Sequence, residues 1–154
     1  MTAPGNHGGL PVFLYDCFAE TRFGGNVGAF VLDAKDLGTD DMQAIAREVN
    51  APVTGFVTGL DGDRVACRFF MPSAEIAMCG HVTVGLFSHL HAADPEGPAE
   101  FVLSVPAGEI PVTVEPAREG TQACRARVMM ALSPPRLLDI EADRTALARA
   151  LGID

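Results

Sequence analysis

Between Gly80 and Ala93 the sequence sets Val82, Val84, Leu86, Phe87 and Leu90 around nearly the whole circumference of a helix-length segment. A surface helix keeps a polar stripe for water; one that is apolar all round must be enclosed by other elements. The remainder of the 154-residue chain is rich in segments that can do the enclosing. Pro11 to Phe18, Val27 to Leu32, Thr54 to Thr58, Arg64 to Phe70, Phe101 to Val105, Ile110 to Val114 and Cys124 to Ala131 read as strands, from their β-branched and aromatic content and the turn residues between them. Asp61-Gly62-Asp63 and Pro106-Ala107-Gly108-Glu109 predict two hairpin turns. Two further helices are peripheral. Thr39 reads as an N-cap with Met42, Ile45, Ala46 and Val49 at helical spacing, stopping by Asn50 ahead of Pro52, and a short terminal helix runs from Asp143 to Leu151. Strands dominate and βαβ alternation is weak. The expected fold is therefore α+β, a mostly antiparallel curled sheet wrapped around one central buried helix.

Residues 1–10 are polar and Gly-rich without an apolar h-region and read as a flexible leader, leaving 11–154 as a single domain. A formal net charge of −9 argues against a nucleic-acid partner, which needs a basic face. No apolar run is long enough to predict a membrane span. Cys17, Cys67, Cys79 and Cys124 form no CxxC pair and no zinc pattern, so no metal is expected. With no secretory signal, reduced thiols and a cytoplasmic location are the expectation.

The densest chemistry lies in Phe70-Met71-Pro72-Ser73-Ala74-Glu75-Ile76-Ala77-Met78-Cys79-Gly80-His81-Val82-Thr83-Val84-Gly85. A strand ends at Pro72, and a loop delivers Cys79, Gly80 and His81 to the start of the buried helix. Free amides at a helix N-terminus favour anions and lower a thiol's pKa. Gly80 lets a ligand approach the backbone, and the same donors suit a carboxylate substrate that develops enolate-like charge. Cys79 is either a structural thiol or an acid/base group. His81 either anchors a substrate carboxylate or caps its own helix. Asp16 is a site residue or a turn acceptor. Asn26, after Gly24-Gly25, lines the site or takes a left-handed turn conformation. Glu75 is the nearest carboxylate and reads as a strand-edge residue, and His89 and His91 read as structural or solvated.

The pattern F-x-P-x-x-E-I-x-x-C-G-H-x-T-x-G resembles the signature of PhzF-like isomerases. Its Met78-Cys79-Gly80-His81 core is similar to that of proline racemases and, more distantly, to the Cys-Gly-Asn of diaminopimelate epimerase. Asp16-Cys17-Phe18, Phe23-Gly24-Gly25-Asn26, Met42-Gln43-x-Ile45-Ala46-Arg47-Glu48-x-Asn50 and Ala107-Gly108-x-Ile110-Pro111-Val112 follow in the family's order. The resemblance implies a diaminopimelate epimerase-like half, cofactor-independent chemistry on a small carboxylate metabolite of secondary metabolism, and a cleft between two similar domains. On this basis the chain is expected to be the N-terminal half only, with the second domain absent. The other wall would come from a homodimer or from a separate C-terminal-half-like subunit. Cys79 is then the candidate catalytic residue, and Gly80, His81, Asn26 and Asp16 bind substrate. One departure stands out. Where the family reads N-x-S-E-T-x-F, this chain reads Asn50-Ala51-Pro52-Val53-Thr54-Gly55-Phe56, so Val53 is expected to line the cleft in place of the proton-moving glutamate. That substitution sustains a second reading: a repurposed fold without proton transfer, serving as a cyclisation pocket, ligand-binding protein or scaffold subunit.

Overall fold

The structure, a computed structural model, describes residues 9–19, 21, 23–96, 99–116, 126–132, 134 and 143–153. Cys124, most of the expected leader and the beginning of the expected last strand lie outside the described residues. Strands β1 (Phe13–Cys17) and β2 (Asn26–Val31) precede helix α1 (Thr39–Val49), and β3 (Thr54–Asp61), β4 (Arg64–Phe70) and the two-residue β5 (Glu75–Ile76) follow it. Helix α2 (Gly80–Ala93) leads into β6 (Glu100–Val105), β7 (Gly108–Pro116), β8 (Ala126–Met130) and helix α3 (Arg144–Ala150).

All the strands join one sheet in the order β1-β2-β3-β4-β6-β7-β8, with β5 paired to β4 off that path. The pairings are antiparallel except for β2 with β3 and β4 with β6, which are parallel. Both ends of the sheet, β1 and β8, pack against α2. The sheet therefore curls around the helix as a half-barrel, the α+β architecture that the apolar circumference of α2 requires.

The inner face of the sheet and α2 share the larger core, in which Phe30, Val65, Phe69, Val82, Leu86, Phe87 and Leu103 have no exposed surface. On the outer face α1 covers Val31, Phe56 and Phe70 with Met42 and Ala46. The helix approaches the sheet so closely because glycines stand at the points of contact. A Cβ on Gly85 would lie 2.9 Å from Cys17 Sγ and 3.2 Å from Tyr15 Cβ. Alanine is the better helix former by about 1 kcal/mol, but overpacking a core contact costs roughly 1–3 kcal/mol. Gly85→Ala is therefore expected to lower the urea midpoint, and a raised midpoint would show that α2 has room to move off β1.

Several local expectations change. Gly38, in extended backbone, takes the N-cap position of α1, so Thr39 is the first helical residue. The hydroxyl of Thr39 instead accepts a hydrogen bond from Arg68 at 3.1 Å. The helix closes on Asn50 in the left-handed region at φ 54°, with its N–H bonded to the Ala46 carbonyl. Asn26 is not a left-handed turn residue; it begins β2 opposite Cys17. Among the described residues of that loop the left-handed positions fall on Phe18 (φ 59°) and Phe23 (φ 63°). Gly25 serves close approach, since a Cβ there would run into the Cys17 carbonyl. At α3, Asp143 is the N-cap, its Oδ1 accepting from the amides of Thr145 and Ala146.

Candidate active site

The start of α2 is set by Cys79, whose extended backbone (φ −140°, ψ 115°) cannot continue a helix. Its carbonyl is taken up by the first turn, accepting from the Thr83 hydroxyl at 2.7 Å and the Thr83 amide at 3.2 Å. Thr83 is fully buried, so this double bond pins the helix start. The Cys79 side chain turns into the larger core and is 6 % exposed.

The Cys79 sulfur lies 3.3 Å from His81 Nδ1 and 4.0 Å from Nε2, which makes Nδ1 the nearer partner. The sulfur makes no full helix-cap bond, but the backbone amides of Val82 and His81 act on it in the direction that favours thiolate. Burial outweighs them and pushes the Cys79 pKa above its ordinary value. The amide-rich helix start therefore does not produce a resting thiolate. Burial acts in the opposite sense on the imidazole, holding His81 below its ordinary value against a weaker upward pull from a backbone hydrogen bond to Val27. The pair thus rests as a protonated thiol beside a neutral imidazole. Cys17 and Cys67, pushed up by burial to about 11 and about 12, have no such partner chemistry and behave as core thiols.

Gly80 stands between Cys79 and His81 in the chain. Among the described residues, a Cβ there would meet only the Met130 Cε, at an ordinary 3.6 Å. Packing within the chain does not exclude alanine at this position. Gly28 and Gly55 differ, because a Cβ on either would meet Val82 of α2 at 3.0 Å or less, as does Gly85, whose Cβ would meet Cys17 at 2.9 Å.

The other sequence-proposed residues divide. Asn26 is exposed at the start of β2, one residue before the Val27 that holds the His81 ring. Asp16 braces the preceding loop, with Oδ1 accepting from the Gly25 amide at 3.1 Å. Its Oδ2 is buried without a partner among the described residues. Glu75 is engaged elsewhere: Arg68 donates to both of its oxygens at 2.7 Å, and this pairing lowers the Glu75 pKa. A carboxylate held ionised by a guanidinium is a poor general base. His89 accepts from or donates to the Tyr15 hydroxyl at 2.8 Å and packs among the rings of Phe13 and Phe30. Val53, at the family's glutamate position, is 6 % exposed and packed in the same core as Cys79. Among the described residues no cluster of three or more His, Cys, Asp or Glu could hold a metal ion, and no helix is long and apolar enough to cross a membrane.

The signal missed by reading the sequence is the contact between Cys79 and His81 themselves. Residues two apart on a helix do not face each other. They meet here because Cys79 is extended and only His81 is helical.

Comparison with known proteins agrees with this fold. An uncharacterized isomerase of Mesorhizobium japonicum is 39 % identical over 143 residues, covering 91 % of this chain and 46 % of its own length. An uncharacterized isomerase of Bacillus subtilis is 29 % identical, covering 92 % of this chain and 47 % of its own length. The crystal structure of the Bacillus anthracis phenazine biosynthesis protein of the PhzF family superposes with a TM-score of 0.74 at 30 % identity, over 94 % of this chain and 48 % of that one. The chain spans about half the length of the curated relatives it matches. The description "N-terminal half only" is corrected: the likeness is not confined to a half of this chain but runs through nearly all of it, in the family profile and in the superposed structure alike. With residues 15–153 matching the phenazine biosynthesis-like protein family, this chain belongs to that isomerase and epimerase family.

Proposed function

We propose that this chain forms one wall of a cofactor-independent isomerase or epimerase that moves a proton on a small carboxylate metabolite. The observation that carries this reading is the Cys79–His81 contact of 3.3 Å at the start of the buried helix, beside which Gly80 and His81 are partly exposed. In the proposed cycle the thiol proton passes to His81 Nδ1, and the resulting thiolate removes a proton from a carbon next to the substrate's carbonyl or carboxylate. The imidazolium then returns its proton to the substrate, restoring thiol and neutral imidazole with no net gain or loss of protons. The backbone amides at the helix start and the Asn26 side chain bind the carboxylate and the developing enolate. Gly80, His81 and Asn26 are at least partly open to solvent, so a facing wall is needed to exclude water. A second copy, a different polypeptide or a further segment of the same protein supplies it.

The test is deuterium wash-in from D2O at the carbon next to the carboxylate, across a panel of small amino, hydroxy and unsaturated acids, with the native mass recorded alongside. Exchange by the oligomer, or only after a partner chain is added, supports the reading. Binding of panel members without exchange at any concentration overturns it. That outcome would favour the second reading, a repurposed cleft without proton transfer, for which the specific support is the apolar Val53 buried in the same core as Cys79.

A further inference from the structure

Strand β2 runs beneath the first turn of α2, and Gly28 is its point of contact. A Cβ on Gly28 would lie 2.9 Å from Val82 Cγ2, 3.2 Å from His81 Cδ2 and 3.5 Å from Val82 Cα. The first distance is one that real side chains do not tolerate, and it is to a β-branched side chain with no exposed surface. The His81 ring thus has β2 on the side of its Cδ2 edge and the Cys79 sulfur nearest its Nδ1. Val27, next along β2, hydrogen-bonds the same ring through its backbone.

We propose that Gly28 is a positioning residue, whose missing side chain lets β2 seat the His81 imidazole with Nδ1 on the Cys79 sulfur. Gly28 does not touch the reacting atoms. It acts through His81: a side chain at this position would press the Cδ2 edge of the ring and separate the proton-transfer pair. Gly55 on β3 supplies an internal comparison. A Cβ there would press the other Val82 methyl at 3.0 Å, Phe69 at 3.2 Å and Cys67 at 3.4 Å. Both glycines therefore carry the packing of Val82, and only Gly28 abuts His81. This inference rests on the reading of Cys79 and His81 as a working pair. Its test reads the thiol directly, so its failure is distinguishable from the absence of turnover.

The experiment is the alkylation rate of Cys79 by iodoacetamide at neutral pH, followed by peptide mass on the full chain for wild type, Gly28→Ala, Gly55→Ala, His81→Ala and the double variant Gly28→Ala/His81→Ala. A neighbouring base supplies a hundredfold or so of assistance to such a group. Gly28→Ala is expected to lose roughly tenfold or more of the rate, as His81→Ala does, while the double variant loses no more than His81→Ala alone. Gly55→Ala is expected to keep the wild-type rate. Additive losses in the double variant, or an equal loss in Gly55→Ala, would overturn the proposal by making the effect one of packing. If Gly28→Ala does not fold, Gly28→Ala/Val82→Ala removes the methyl at 2.9 Å and leaves the His81 contact. That variant is expected to show the same loss against Val82→Ala alone, and an unchanged rate there also overturns the proposal.

Discussion

Cys79→Ser is expected to reduce turnover of the assembled enzyme by roughly a hundredfold to ten-thousandfold, the range that a positioned acid/base group supplies. Serine keeps the shape of the site but not its chemistry, because an alcohol ionises far above a thiol. The pH profile should distinguish a working pair from a lone thiol. Burial lowers the His81 pKa below its ordinary 6.5, so the imidazole stays able to accept the thiol proton until the medium is more acid than that. Burial raises Cys79 above its ordinary 9.0, so the thiol keeps its proton until the medium is more alkaline than that. Working protons are thus available across the neutral range, with rate lost below the lowered histidine value and above the raised thiol value. A rate climbing steadily through neutrality, with no plateau between the two values, would remove His81 from the cycle. Wild-type turnover in Cys79→Ser would remove Cys79, and the repurposed-cleft reading would take its place.

The frame of this molecule was legible wherever a local pattern had only one physical outcome. Helix α2 spans Gly80–Ala93 as expected, because a segment apolar on all sides between a strand and a polar turn has no other stable form. The β3–β4 and β6–β7 hairpins follow from their turns, although β6 and β7 close more tightly than expected, with Val105 already paired to Gly108. The parallel pairings of β2 with β3 and β4 with β6 were not legible, since they join strands separated by helices and are chosen by how α1 and α2 pack. The left-handed backbone of Phe18 and Phe23 also runs against local preference, by which Asn26 was a candidate for that conformation. In the site, residue types were readable and environment was not. The amide donors at the helix start argued for an acidic thiol, and the depth of Cys79 in the core reversed the sign. The role of Gly28 depends on how closely two elements distant in sequence approach, which no single segment records.

Val53→Glu carries the largest expected cost to stability. The family's glutamate position is filled here by a side chain 6 % exposed, inside the cluster that also holds Phe30, Phe69, Val82 and Cys79. Its carbonyl accepts from the Ala29 amide at 3.1 Å, so the backbone at this position is fixed to β2 and cannot swing outward to relieve a longer side chain. A carboxyl placed there must either stay ionised without a cation, which a low-dielectric core resists strongly, or take up a proton and remain short of hydrogen-bond partners. Added volume in a packed core costs further. Together these amount to roughly 3–5 kcal/mol, the range seen when an unpaired charge is left buried, and the loss should deepen as pH rises through the raised carboxyl value and the group is forced to ionise. Urea unfolding of Val53→Glu and Val53→Gln at two pH values measures both effects, because glutamine shares the volume and polarity but not the ionisation. Near-native stability of Val53→Glu would mean that this position opens toward the facing wall once the site is assembled. Recovered proton transfer in that variant would then mark a silenced glutamate site. A collapse in stability with no gain in exchange would mean that the packing around Val53 has been rebuilt, and that any proton chemistry in this chain runs through Cys79 and His81.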